Sequence, residues 1–294
     1  MKTLAILTLA STAAAFAAGD TAALVQGPDR KLSTDAQVQA IQADANLNRK
    51  CHTTNDGKFH NCFRTSEQIF EYVDALVVQN PTLLKKEAIS TTVNGKTIYA
   101  YKLTSGASKP RSRGRRMCLR CLRFWTILPT NKPTAADKFN LYFVPIANID
   151  GYDISWMNGK RLQRKNANEV DLNRNWPTPF KTPKTKLPSA QDYPGTGPFS
   201  EPETKGIGEW LKAKNTELAG WVDVHSFGGL ILYPYGDTTE RIGNGEDEKF
   251  ERLGRNIAVA TSGSYTGQTA ASPPIRALFG AFDDYLYRTY QKPC

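Results

Sequence analysis

From Thr65 onward the chain alternates helix signals with strand signals, and that alternation restricts its fold more than any other feature. Thr65-Ser66-Glu67-Gln68 is a capping box, and Ile69, Phe70, Val73, Leu76 and Val77 then recur at helical spacing up to Pro81. Asn94-Gly95 separates the runs Ala88–Val93 and Thr97–Leu103, which predicts a hairpin. Asn140 to Asn148 is apolar enough for a buried strand. Ser200-Glu201-Pro202-Glu203 reads as a second capping box, opening a helix with Ile207, Trp210 and Leu211. Ala219 to His225 predicts another strand, continuing through Leu230–Tyr233, and residues 247–262 a further helix. Strands alternating with helices argue for an α/β sheet covered by helices.

The N-terminus has a different character. Lys2, the apolar run Leu4 to Ala10 and the small-residue site Ala15-Phe16-Ala17 read as a secretory signal over 1–17. A membrane anchor would need about twenty apolar residues, and Gly19-Asp20 comes too early for that. A secreted, extracellular protein is expected, with residues 18–60 as a spacer or short pro-segment and 61–294 as the folded domain. Five cysteines (51, 62, 118, 121 and 294) would then sit in an oxidising compartment. Cys51 and Cys62 are a plausible disulfide pair, Cys118 and Cys121 have the spacing of half a zinc site, and Cys294 has no evident partner.

Charge enters the argument at one place. The 294-residue chain carries a formal charge of +10, which raises the question of a polyanionic partner. Lys109, Arg111, Arg113, Arg115, Arg116, Arg120 and Arg123 account for most of it, with no acid between them. They lie in the stretch 106–133, which fits neither helical nor strand periodicity. The remainder is nearly balanced, so the basic pI marks this anomalous segment rather than a nucleic-acid partner.

Three stretches carry chemistry together. They are Asn148-Ile149-Asp150-Gly151-Tyr152 with Arg161-Leu162-Gln163-Arg164-Lys165, Asp171-Leu172-Asn173-Arg174-Asn175-Trp176, and Asp223-Val224-His225-Ser226. In order and spacing they resemble the zinc carboxypeptidases of the carboxypeptidase A/B type. The resemblance covers about residues 63–105 and 139–290. It implies an α/β fold with a mixed, mostly parallel twisted sheet and helices on both faces, here truncated at the C-terminus. It also implies zinc as cofactor, hydrolysis of C-terminal residues from peptides, a monomer, and peptide or protein C-termini as partners, with no specific nucleic acid and no membrane.

Residue by residue, the resemblance gives Asn173 and Arg174 the substrate carboxylate, for which a guanidinium fork is suited. Arg164 matches the arginine that stabilises a developing oxyanion, and Asp171 the acid that orients a histidine ligand. His225 matches the third zinc ligand. Asp283 falls at the pocket-floor position, where an acid favours C-terminal Lys or Arg. Asn148 and Asp150 read as structural turn residues.

The chain also departs from the family pattern. Its three histidines are His52, His60 and His225, and none is followed three residues later by glutamate. The place for that His-x-x-Glu pair falls within 106–133. The general-base glutamate expected a little over a dozen residues beyond Asp283-Asp284 has no counterpart, and no tyrosine lies between Tyr265 and Tyr285. With one of three ligands, tight zinc binding is not expected. Three readings follow: a zinc carboxypeptidase by descent whose sequence is incomplete or misread and which is inactive as written, a pseudoenzyme that captures peptide C-termini, and a polyanion binder using residues 109–123.

Overall fold

The computed structural model describes residues 2–7 (backbone only), 64–104, 139–180, 187–225, 229–272 and 277–291. All five cysteines, the segment 18–60 and the basic stretch lie outside these residues. So do the lengths of chain that would test the disulfide and zinc-spacing readings.

A five-stranded sheet runs in the order β2-β3-β4-β1-β5, with β1 at Lys2–Leu7, β2 at Leu84–Thr91, β3 at Thr97–Leu103, β4 at Phe139–Val144 and β5 at Leu218–Asp223. β2, β3 and β4 pair antiparallel, while β1 pairs parallel with both β4 and β5. The mixed sheet is therefore present, with its four pairings divided evenly between the two senses. The expected hairpin forms, with Gly95 at φ +79° in the turn, where an L side chain would be strained.

Leu4–Leu7, the first part of the apolar run expected in a leader, lies in β1 between β4 and β5, while residues 8–17 lie outside the described residues. A short apolar run satisfies both roles, because a strand flanked on both edges by parallel neighbours is itself nearly continuous in apolar residues.

Helix α1 (Ser66–Gln79) begins as its capping box predicts: Thr65 Oγ1 accepts the Gln68 N–H, and Gln68 returns a bond to the Thr65 N–H. Its Val73 packs on Tyr101, Leu141 and Phe143, one face of the sheet. The opposite face carries Ile98, Ala100, Tyr142 and Val144. These meet Ile207, Trp210 and Leu211 of a helix at Pro202–Lys214, and Phe282, Tyr285 and Leu286 of a helix at Phe282–Tyr290. Alternating positions of single strands thus feed two cores, and helices do cover both faces.

A short helix α2 (Ile149–Ile154) follows β4, so the Pro202–Lys214 helix is α3. α3 starts where expected but without a capping box: Glu201 is the N-cap residue and makes no side-chain cap bond. Its carboxylate is drawn instead to Asn166 and Asn168, at 2.7 and 2.9 Å. Glu203 accepts the Val93 N–H at 3.2 Å, which ties the helix start to the hairpin turn. The run Leu230–Tyr233 does not continue β5. It forms β6, paired parallel with β7 (Thr266–Thr269) in a separate two-stranded sheet joined by α4 (Glu246–Ala260). Gly229 at φ +61° precedes β6 and allows the redirection. The last helix, Phe282–Tyr290, is α5.

Glu203 is 0 % exposed, and burial pushes its pKa up to about 7 against the pull of the Val93 N–H. An acid whose folded pKa lies above its unfolded value takes up a proton on folding between the two. Its contribution to stability is complete below about pH 4.5 and is lost as pH rises through 7, a change of roughly 3 kcal/mol. Urea midpoints should accordingly fall between pH 5 and pH 8. The fall should be smaller in Glu203→Gln, and an equal fall in both proteins would remove Glu203 as the cause.

Candidate active site

The parallel strands β1, β4 and β5 point their carboxyl ends the same way, and the candidate residues gather there, at the usual place for a site in an open α/β sheet. Asp223 ends β5 and His225 lies two residues beyond it. Asn148, just after β4, caps α2 by accepting the Gly151 N–H at 3.0 Å. Asp150 Oδ2 accepts the Asn94 N–H at 3.0 Å. Both residues are structural, as expected.

The Asp171–Trp176 stretch is a tight 3-10 turn at Leu172–Arg174, opened by the Asp171 carboxylate accepting the Asn173 N–H at 3.1 Å. Asn175 secures it from below. Its amide donates to the Pro194 and Gly197 carbonyls and to Ser200 Oγ, and its oxygen accepts from Thr204 Oγ1 at 2.5 Å and from the Glu201 N–H at 3.3 Å. A fully buried side chain with these partners fixes the turn against the start of α3.

Asn173 links this turn to both remaining parts of the site. Its Oδ1 accepts the Phe282 N–H at 2.8 Å, which orients the amide so that Nδ2 points at His225 Nε2, 3.1 Å away. The same Nε2 lies 2.8 Å from Asp223 Oδ2. One ring nitrogen cannot accept from Asn173 and donate to Asp223 together. Partial burial of the ring works against its charged form, but the Asp223 carboxylate outweighs it and raises the His225 pKa, with Arg164 opposing and Asp171 assisting. An ionised carboxylate only accepts, so the 2.8 Å contact with Asp223 is made with Nε2 as the donor.

Arg174 donates from Nη1 to the Asn173 carbonyl. Asp283, at the start of α5, is raised in pKa by burial and by the Asp223 charge, with the Arg174 charge pulling the other way. Arg164 donates from Nε and Nη2 to Asp171 Oδ2, each at 2.8 Å. All six residues singled out from sequence therefore share one cluster. The difference lies in Asp171, whose carboxylate serves Arg164 and its own turn and reaches His225 through charge alone. A carboxylate this buried, 4 % exposed, needs a cation close by, and Arg164 is seven residues away along the same loop.

Sequence reasoning missed several contributors. Asp223 stood in a quoted motif without a role, although a residue two before His225 on a strand shares its face. Gly280 was a second: a Cβ there would meet the Arg174 carbonyl oxygen at 2.1 Å. Asp284, read only as a neighbour of Asp283, is buried and accepts the Gly236 N–H at 2.9 Å and the Asp237 N–H at 3.2 Å. Burial, then the Asp283 charge, raises its pKa.

The zinc carboxypeptidase family profile matches residues 69–293, which take in every part of this cluster. The chain belongs to the zinc carboxypeptidase family. Human carboxypeptidase A1 is 24% identical over 281 residues, covering 88% of this chain and 65% of that protein. Human mast cell carboxypeptidase A is 26% identical over 216 residues, 65% of this chain and 52% of the relative. The "inactive metallocarboxypeptidase ecm14" of Schizosaccharomyces pombe is 25% identical over 281 residues, 82% and 55% respectively. The chain thus spans between about half and two thirds of the length of these curated relatives. Among solved structures, the carboxypeptidase A from Helicoverpa armigera superposes with a TM-score of 0.71 at 19% identity, covering 85% of this chain and 69% of that one. Thrombin-activatable fibrinolysis inhibitor also gives 0.71 at 19%, covering 86% and 71%. These likenesses show the carboxypeptidase fold.

For a zinc carboxypeptidase the donor set can be tested directly. A catalytic zinc takes three protein ligands and keeps one position open. Among the described residues no group of three or more His, Cys, Asp or Glu is placed to hold a metal. The one described histidine, His225, offers one ligand at most, through Nδ1, because Nε2 is engaged with Asp223. A single histidine donor among the described residues falls short of the three protein ligands a catalytic zinc takes. Also among the described residues, no helix is long and apolar enough to cross a membrane.

Proposed function

We propose that this zinc carboxypeptidase relative recognises the free C-terminus of peptides and does not hydrolyse them by the family's zinc route. The observation that carries the reading is the Asn173–Arg174 turn. It is held rigidly by Asn175 and faces Asp223, His225 and Asp283 across the carboxyl ends of the sheet. Arg174 supplies the cation for a terminal carboxylate, and Asn173 and the neighbouring backbone its orientation. Charge-assisted bonds of this kind contribute more than neutral ones. Asp283 supplies an acid at the edge of the same cluster, so peptides ending in Lys or Arg should be preferred.

Binding of fluorescent peptides with free and amidated C-termini tests the reading. The free-acid form should bind on the order of 10- to 100-fold more tightly, and Arg174→Ala should remove that difference. Arg174→Lys keeps the charge without the fork and should fall between. Equal affinity for the amidated peptide would sink the proposal. Incubation of the purified chain with zinc and peptides ending in Lys, Arg or Phe should release no amino acid. Chelator-sensitive release would favour a hydrolase whose remaining ligands come from outside the described residues.

A further inference from the structure

The chain contains three Asn-Gly pairs, Asn94-Gly95, Asn158-Gly159 and Asn244-Gly245, and all three lie within the described residues. Their settings are closely matched. Each asparagine and each glycine is exposed, the glycines have φ of +79°, +74° and +77°, and a Cβ added to any of them would meet nothing within 4 Å. Hydrogen bonding separates them. In the β2–β3 turn the Gly95 N–H donates to the Thr92 carbonyl at 2.9 Å, and the Asn94 N–H donates to Asp150 Oδ2 at 3.0 Å. Thr92 closes that turn twice more, donating its N–H to the Lys96 carbonyl at 2.8 Å and accepting the Lys96 N–H on Oγ1 at 3.1 Å. The other two turns are held more sparsely. The Lys160 N–H donates to the Met157 carbonyl at 3.1 Å, and the Glu246 N–H to the Gly243 carbonyl at 3.0 Å. Among the described residues the Gly159 and Gly245 N–H groups have no acceptor.

Asparagine is a labile residue, and a following glycine, with no side chain to crowd the approach, supplies the nucleophile. The glycine nitrogen gives its proton to hydroxide and bonds to the asparagine Cγ. The Cγ–Nδ2 bond breaks, and the leaving nitrogen takes a proton from water and departs as ammonia. Water then opens the cyclic imide, at Cγ to give aspartate or at the backbone carbonyl to give isoaspartate. A glycine N–H held by a carbonyl reaches this path only when its bond opens. We propose that Asn158 and Asn244 are sites of spontaneous deamidation in the folded protein, and that the bonds of the β2–β3 turn protect Asn94. Each event adds one negative charge. At Asn158 it falls in the loop that leads to Arg161 and Arg164, and at Asn244 beside the acidic first turn of α4, Glu246, Asp247 and Glu248.

Incubation of the full-length chain in mildly alkaline buffer, with digestion and peptide mass spectrometry at intervals, tests this without any variant. Peptides carrying Asn158 and Asn244 should show the mass change of an amide replaced by an acid. The peptide carrying Asn94 should change at least about 10-fold more slowly, since its glycine must first lose a hydrogen bond in an ordered turn. A parallel incubation in concentrated urea supplies the reference. There the turn is gone, all three asparagines precede glycine, and their rates should converge to within about 3-fold. Deamidation of Asn94 as fast as the other two in the native protein would overturn the proposal. So would a rate order in urea equal to that in buffer, which would assign the selectivity to local sequence instead of the turn.

Discussion

Gly280→Ala should cost about 3–5 kcal/mol of folding stability and displace Arg174 from the site. Gly280 has φ +69°, where a non-glycine residue is already strained. The added methyl would stand 2.1 Å from the Arg174 carbonyl oxygen and 2.7 Å from its carbon. Those are backbone atoms, so no side chain can swing away to make room. The same glycine bonds the turn twice, donating to the Thr178 carbonyl and accepting from the Trp176 N–H, each at 3.1 Å. Yielding to the methyl therefore moves the residues from Arg174 to Thr178 together. Gly197→Ala is the matched control: its Cβ would meet nothing within 4 Å, and its urea midpoint should shift by no more than about 0.5 kcal/mol equivalent. Equal effects of the two substitutions would show that the Gly280–Arg174 approach is not what holds the turn.

Trp176→Ala should be comparably severe for a different reason. The indole is fully buried and packs against Phe282 at 4.7 Å, Tyr285 at 5.2 Å and Phe199 at 5.5 Å between ring centroids. Among the described residues its Nε1 has no hydrogen-bond partner, so truncation removes packing and burial without breaking a polar contact. Truncating a buried aromatic of this size costs about 3–5 kcal/mol. Trp176→Phe retains a ring and should lose roughly 1–2 kcal/mol. Thermal or urea unfolding of the three proteins gives the series directly. A Trp176→Ala chain within 1 kcal/mol of the parent would mean that this aromatic cluster can close over the gap, which well-packed interiors do poorly.

The two substitutions strike one structural joint, and that joint shows what could be read from sequence and what could not. Trp176 follows Arg174 by two residues, so the motif that identified the carboxylate pair also contained its anchor. α1 and the β2–β3 hairpin were legible because their signals are local: a capping box closed by Thr65 and Gln68, and a turn that needs Gly95. The start of α3 was legible in position but not in cause. Glu201 and Glu203 looked like capping residues, yet their partners, Asn166, Asn168 and the Val93 N–H, lie far away in sequence. β6 was assigned to the wrong sheet because a short apolar run marks a strand without naming its neighbour.

The site followed the same division. Asn173, Arg174, Asp171, Arg164, His225 and Asp283 were recognisable by motif, and they do converge. Their pairings were not recognisable. Arg164 is taken up by Asp171 seven residues on, and Asn173 reaches the Phe282 N–H 109 positions away, pairings that depend on how the loops close. β1 was the hardest case, since a short apolar run such as Leu4–Leu7 has two physically sound destinations, a leader or a strand, and local sequence does not choose between them.

Asn175 has a consequence for how such a protein changes over generations. Its five hydrogen-bond contacts, all to protein groups, hold the shape of the Asp171–Trp176 turn. On the proposed reading, a change at a metal ligand elsewhere would leave these bonds, and with them the shape of the turn, in place. Recognition of a peptide terminus and cleavage of its last bond would then be separable properties of this architecture.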